Sequence, residues 1–63
     1  MEHIILVKGL NSEEKADHLD SDLKVSRLNY RISLSNQCVI IEGSNDDIYL
    51  AKTIIREAGF IVE

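Results

Sequence analysis

The side chains best suited to binding a metal ion are few in this sequence. It has one cysteine, Cys38, and two histidines, His3 and His18, so few side chains could form a metal site of soft ligands. Glu14 and His18 stand four residues apart, which places them on one helix face and suits only weak binding of a divalent ion. A structural zinc site needs four converging ligands. We therefore expect a solvated surface at Glu14 and His18, with Cys38 left as a weak candidate ligand for copper or zinc.

Catalytic chemistry has no evident group of residues in this chain. Neither Cys38 nor a histidine has a plausible partner to activate a nucleophile, and no glycine-rich stretch is typical of a phosphate-binding loop. The three glycines fit turn and helix-end positions instead. A chain of 63 residues also has little room for a deep pocket. We expect a protein that is not an enzyme, with no catalytic residues and no cofactor.

Length and composition predict a single domain, residues 1–63. Hydrophobic residues make up 44% and charged residues 29%, as in ordinary globular domains. The net charge of −4 argues against nucleic acid as a partner, because phosphate binding needs clustered Lys and Arg. The longest apolar run, Ile4–Val7, is far too short for membrane insertion. A lone cysteine in so small a chain fits a reducing cytoplasm.

Two segments have the hydrophobic pattern of amphipathic helices. Within 11–24, Ala16, Leu19 and Leu23 recur at helical spacing among acidic residues. The second helix is predicted to begin at 44–47, whose polar side chains can cap it, and to end at Gly59. The apolar stripe of this second helix consists of Ile48, Leu50, Ala51, Ile54, Ile55 and Ala58.

Four strands are predicted around these helices. Ile4–Val7 is a β-rich run closed by Gly9, and 28–34 alternates apolar with polar residues. Cys38–Glu42 follows a turn, and Phe60–Val62 is long enough only for a short final strand. The element order is therefore βαββαβ. Right-handed crossovers predict a ferredoxin-like α+β sandwich, with a four-stranded antiparallel sheet in the order 4-1-3-2 and both helices on one face.

Two segments of the chain resemble a known family. Val7–Asn11 is similar to the V-x-G-M-T entry of heavy-metal-associated domains, the copper chaperone-like family, and Ile55–Val62 is similar to its closing I-x-E-A-G-Y-x-V segment. Asn36 falls where the family's central hairpin turn usually lies. The resemblance implies the βαββαβ fold. For typical members it also implies copper or zinc held by the two thiolates of a C-x-x-C motif after the first strand.

The chain departs from that family at the metal-binding loop. Ser12 and Lys15 stand where the resemblance places the two cysteines, and neither a hydroxyl nor an ammonium suits soft copper. Phe60 replaces a tyrosine that bacterial members tend to place near the metal, and we interpret it as a core residue. Asn11 and Glu14 are spaced as a capping box, so we expect this loop to start a helix. The alternative is that Ser12 and Lys15 bind an anionic group.

The main positive signal lies on the sheet face that the helices would leave open. If the other strand residues point toward the helices, alternation sends five residues to this face. They are Ile4, Leu6, Cys38, Ile40 and Ile61. Typical family members are mostly polar there, whereas contiguous exposed apolar surface usually marks an interaction site. We predict an interaction face formed by the four aliphatic residues; the alternative is that β-branched residues favour strands and are tolerated at the surface.

Two functions remain open at this point. The first is a non-catalytic interaction module that has lost the family's thiolate site and forms a homodimer, or binds a protein partner, through the open sheet face. The second is a divergent copper-binding or copper-transport accessory protein that uses Cys38 or ligands from a partner. The acidic first helix could steer a basic partner toward either kind of module.

Overall fold

The six predicted elements occur in the predicted order. A computed structural model describes residues 2–63. The elements are β1 (Glu2–Lys8), α1 (Glu13–Lys24), β2 (Asn29–Ser33), β3 (Cys38–Glu42), α2 (Asn45–Glu57) and β4 (Ile61–Val62). The main difference from expectation is that β1 begins before Ile4, because Glu2 and His3 pair with Glu42 and Ile41 of β3. Cross-strand pairing thus extends the strand past its apolar run.

The sheet has the predicted topology. Its strand order is β2-β3-β1-β4, with every neighbouring pair antiparallel. Both helices cover one face, so the predicted ferredoxin-like sandwich is confirmed. The core lies between the layers and consists of Ile5, Val7, Leu10, Leu19, Leu23, Val39, Ile41, Ala51 and Ile55. Because every second strand residue enters this core, the intervening residues lie on the opposite, uncovered face.

The two helix starts differ in how well they were predicted. Ser44 caps α2 as expected: its hydroxyl accepts from Asp47 N, and the Asp47 carboxylate accepts from Ser44 N. The predicted capping box of Asn11 and Glu14 is wrong, because the N-cap of α1 is Ser12, whose hydroxyl accepts from Lys15 N at 3.2 Å. The helix starts one residue later than expected, where Ser12 takes the extended backbone that an N-cap requires.

The end of α2 is fixed by Gly59, as predicted. Gly59 has φ +98°, a left-handed conformation that glycine adopts readily. Its N–H donates to the Arg56 carbonyl at 3.0 Å, and the Phe60 N–H donates to the Ile55 carbonyl at 3.2 Å. These two bonds form a Schellman motif. The chain therefore reverses here and directs Phe60 back onto the core, against which it packs.

The burial of two apolar residues was not predicted correctly, since Leu10 had no predicted role in the core and Leu50 had one. Leu10 is fully buried although it lies in the β1–α1 loop, where no periodic pattern marks a core residue. Leu50, predicted in the apolar stripe of α2, is 43% exposed, because Ala51 and Ile55 already fill the face that meets the sheet. Within residues 2–63, neither helix has the length and apolar character needed to span a bilayer.

Candidate functional site

The β1–α1 loop uses its polar residues to hold itself together. Besides the cap made by Ser12, the Lys15 ammonium donates to Asn11 Oδ1 at 3.1 Å. The acidic Glu13 and Glu14 occupy the first turn of α1, where negative charge is favourable next to the helix N-terminus. These bonds support a structural role for Ser12 and Lys15, and their binding of an anion stays a prediction without a structural observation behind it.

A shallow cleft opens beside this loop. It has a volume of about 590 Å³ and lies between the start of α1 and the α2–β4 connection. Its lining residues are Gly9, Ser12, Glu14, Lys15, His18, Ala58, Gly59 and Phe60. The Phe60 ring forms one wall close to Gly9, where an added Cβ would sit 3.7 Å from Phe60 Cδ1. The cleft mixes both signs of charge, so it has no strong preference for an anion or a cation.

The candidate metal ligands lie apart from one another. His18 Nε2 is 3.8 Å from the Asp22 carboxylate one turn further along α1, and the His18 side chain is largely exposed while that of Asp22 is partly exposed. His3 pairs with Ile41 and Cys38 with Leu6, so His3 and Cys38 lie toward opposite ends of the β1–β3 ladder. Across residues 2–63, no three His, Cys, Asp or Glu side chains are grouped so that they could hold a metal ion.

Cys38 is less accessible than its position on the open face predicts. It is only 4% exposed, although its ladder partners Leu6 and Ser33 place it on the face away from the helices. β3 is a central strand, so a short side chain there has a neighbouring strand on each side. The expectation of a solvent-facing thiol is therefore wrong. Cys38 is also absent from the lining of the cleft, which lies at the end of the helix layer.

The open face of the sheet carries the largest group of exposed apolar side chains. Ile4 is 59% exposed, Leu6 50% and Ile61 61%, whereas Ile40 is half-buried. Ile4 lies directly opposite Ile40 in the ladder, and Leu6 follows Ile4 on the same face. Ile61 of β4 pairs with Lys8, the next residue of β1 on that face. We call these four residues the open-face patch.

Charged residues border the open-face patch, and the sequence interpretation did not single them out. Glu2 and Glu42 are directly opposite each other at one end, and Lys8 is at the other. Arg31 of β2 donates to Glu2 Oε2 at 3.2 Å across the sheet. The alternation that predicts the patch also places these four charged residues on the open face, so the border could be predicted from the sequence. An apolar centre with a charged rim is the usual anatomy of a protein interface.

A tyrosine ties α1 to the sheet. The Tyr30 hydroxyl donates to Asp20 Oδ1 at 2.6 Å and lies 3.2 Å from the Asp20 backbone oxygen. The hydrogen bond to this carboxylate, helped by burial and by the negative charge of Asp20, raises the pKa of Tyr30 above the ordinary 10.0. This contact holds the edge strand β2 under α1 and leaves the opposite face of β2 to the open surface.

Comparison with known proteins agrees with the architecture. No family model matches the chain, and no curated protein matches it. A solved structure described as a CopZ metallochaperone is similar to it, with a TM-score of 0.82 and 18% identity over 100% of both chains. This chain has a copper chaperone-like fold. At 18% identity the likeness extends to the fold and not to the activity of the neighbour.

Proposed function

We propose that this chain is a non-catalytic interaction module, and that the open-face patch is its binding surface. The observation that carries the proposal is the exposure of Ile4, Leu6 and Ile61, each at least half open to solvent on one contiguous face. Other exposed apolar residues, such as Val25 and Tyr49, stand on or beside the helices and away from this face. Their scatter is ordinary for a protein surface, whereas a contiguous patch is not.

The patch is large enough for association but not for a very tight complex. Complete burial of an aliphatic side chain is worth about 1.5–3 kcal/mol, so the exposed halves of these three are worth roughly 0.8–1.5 kcal/mol each. Two such faces meeting would gain on the order of 5–9 kcal/mol, against an association cost of about 4–15 kcal/mol. We expect a modest affinity that depends on every member of the patch.

The second candidate function is metal handling, which the copper chaperone-like fold favours. In that case the protein would be a divergent copper-binding or copper-transport accessory that uses Cys38 or ligands from a partner. Cys38 is 4% exposed and has no second thiol beside it, since it is the only cysteine of the chain. The loop that would correspond to the family's metal site holds Ser12 and Lys15, which are engaged with each other and with Asn11. We rank this function second.

A pair of variants separates the open-face patch from exposed apolar surface in general. The face variant, Ile4→Lys with Ile61→Glu, adds two charges without changing the net charge. The new positive charge lies near Glu2, and the new negative charge lies beside Lys8. The control variant, Val25→Lys with Tyr49→Glu, makes the same change at residues that are 82% and 71% exposed elsewhere. Both variants should fold, because no substituted side chain is buried.

The test of the proposed function is affinity capture of the tagged protein from extracts of its native host, for the wild type, the face variant and the control variant. We expect the wild type and the control to retain the same bound protein, whether another copy or a different chain, and the face variant to lose it. Equal capture by all three would contradict the proposal. A copper(I) competition titration tests the second function: tight binding that Cys38→Ser removes would favour metal handling over our first choice.

A further inference from the structure

The open face has opposite charges at its two ends. β1 begins with Glu2 and ends with Lys8, and Glu42 of β3 is directly opposite Glu2. All three are exposed. Glu2 contacts Arg31, but Glu42 and Lys8 form no ion pair within residues 2–63. The open-face patch therefore separates an acidic end from a basic end that has no ion-pair partner among residues 2–63.

We infer that the occupant of the open face is a second copy of this chain, packed face to face with its strands antiparallel to those of the first. The inference rests on the proposed function and names its partner. A twofold axis that runs across the strands at Ile5 brings Lys8 of each copy over Glu2 of the other, because both are equally far along β1 from Ile5. Glu42 lies on the neighbouring strand, about 4.8 Å away. Each ammonium thus meets two carboxylates.

The same axis matches the apolar side chains of β1 and β3 by size. It places Ile4 of one copy over Leu6 of the other, and Ile40 over Cys38, since each pair is symmetric about Ile5 or its ladder partner Val39. Cys38 is short, so this pairing sets a small side chain against the larger Ile40. Sheets that pack face to face lie about 10 Å apart with their strands within about 30° of one another, which suits this arrangement.

The alternative symmetric arrangement has unfavourable charges. A twofold axis parallel to the strands would place Glu2 over Glu2 and Lys8 over Lys8 of the other copy. Like charges set directly against each other at an interface are strongly unfavourable. The charge pattern of the face therefore selects the antiparallel arrangement over the parallel one.

Reversing single charges distinguishes this local pairing from the repulsion between two acidic molecules. Glu42→Lys changes the net charge from −4 to −2, because one negative charge becomes positive. If net charge governed association, this variant would associate more tightly than the wild type. Local pairing predicts the reverse, since the new ammonium would face Lys8 of the other copy.

The experiment is sedimentation equilibrium of the purified, reduced protein at low ionic strength, for the wild type, Lys8→Glu, Glu42→Lys and the variant with both changes. We expect each single change to raise the dimer dissociation constant about tenfold or more, and the combined variant to associate about tenfold more tightly than Lys8→Glu, because its new ammonium at position 42 faces the new carboxylate at position 8. Circular dichroism melts of all four proteins check that they are folded, as the exposure of Lys8 and Glu42 predicts.

Three results would overturn the inference. Association of Glu42→Lys that is tighter than that of the wild type, or a combined variant that associates no more tightly than Lys8→Glu, would exclude the antiparallel pairing of charges. A wild type that stays monomeric at millimolar concentration would exclude the second copy as occupant. In each case the proposed function is judged separately by whether the face variant loses its partner in the capture experiment, because that result does not depend on which protein binds.

Discussion

Leu6 and Cys38 are directly opposite each other in the ladder between β1 and β3, yet Leu6 is half exposed and Cys38 is 4% exposed. The two residues share one face of the sheet, so the difference comes from side-chain length and from the central position of β3. On this face the aliphatic side chains are therefore accessible to a partner, whereas the thiol is not. This face is therefore better suited to contact with a partner than to binding of a metal ion by Cys38.

The burial of Cys38 predicts slow modification of its thiol. We expect the native protein to react with a disulfide reagent at least about tenfold more slowly than the protein unfolded in urea, because reaction requires local opening of the sheet. Release of the coloured thiolate, followed by absorbance, measures both rates. The Cys38→Ser variant gives the background rate. Equal rates in the native and unfolded states would mean that the thiol is open to ligands after all.

The contact between Tyr30 and Asp20 predicts a pH-dependent contribution to stability. Tyr30→Phe removes the hydrogen bond and should lower the free energy of unfolding by about 1 kcal/mol at neutral pH. The pKa of Tyr30 is raised in the folded state, so this contribution is complete below the unfolded pKa, near 10, and is lost as the pH rises through the folded value.

Urea unfolding of the wild type and Tyr30→Phe between pH 7 and pH 11 measures that difference. Tyr49→Phe is the matched control, because Tyr49 is 71% exposed and its hydroxyl makes no hydrogen bond with residues 2–63. A constant difference between wild type and Tyr30→Phe up to pH 11 would contradict the assigned role of the Asp20 carboxylate.

The start of α1 predicts unequal effects for two adjacent polar residues. Ser12→Ala removes the N-cap and should cost about 1 kcal/mol, which for a domain of this size lowers the melting temperature by about 4–8 °C. Asn11→Ala removes only an exposed hydrogen bond to Lys15 and should cost a few tenths of a kcal/mol. Thermal unfolding of both variants decides between them. A larger loss for Asn11→Ala would restore the capping box that the sequence predicts.

The architecture was predictable because its signals are local and repeat along the chain. The alternation in β2, the apolar stripe of α2 and the position of Gly59 each agree with the final fold. The errors concern residues whose state depends on distant parts of the chain. Leu10 lies in a loop yet belongs to the core formed by both helices and the sheet, and Cys38 is buried on a strand that lies between two others. Neither environment leaves a periodic pattern in the sequence.

The candidate site was predictable in part for the same reason. Alternation placed Ile4, Leu6 and Ile61 on one face, and the structure shows all three exposed there. The charged border of that face was not predicted, because exposed charged residues are ordinary on any protein surface. The choice between Ser12 and Asn11 as helix cap depends on the backbone angle of a single residue, and both residue types are equally good caps.

Sedimentation equilibrium of the reduced, metal-free protein most directly tests the claim that the open-face patch binds a second copy of the chain. We predict a concentration-dependent dimer for the wild type and for the control variant, and a monomer at every concentration for the face variant, with copper(I) making no difference. Dimers of equal strength in all three proteins, or a dimer that forms only when copper(I) is added, would contradict it.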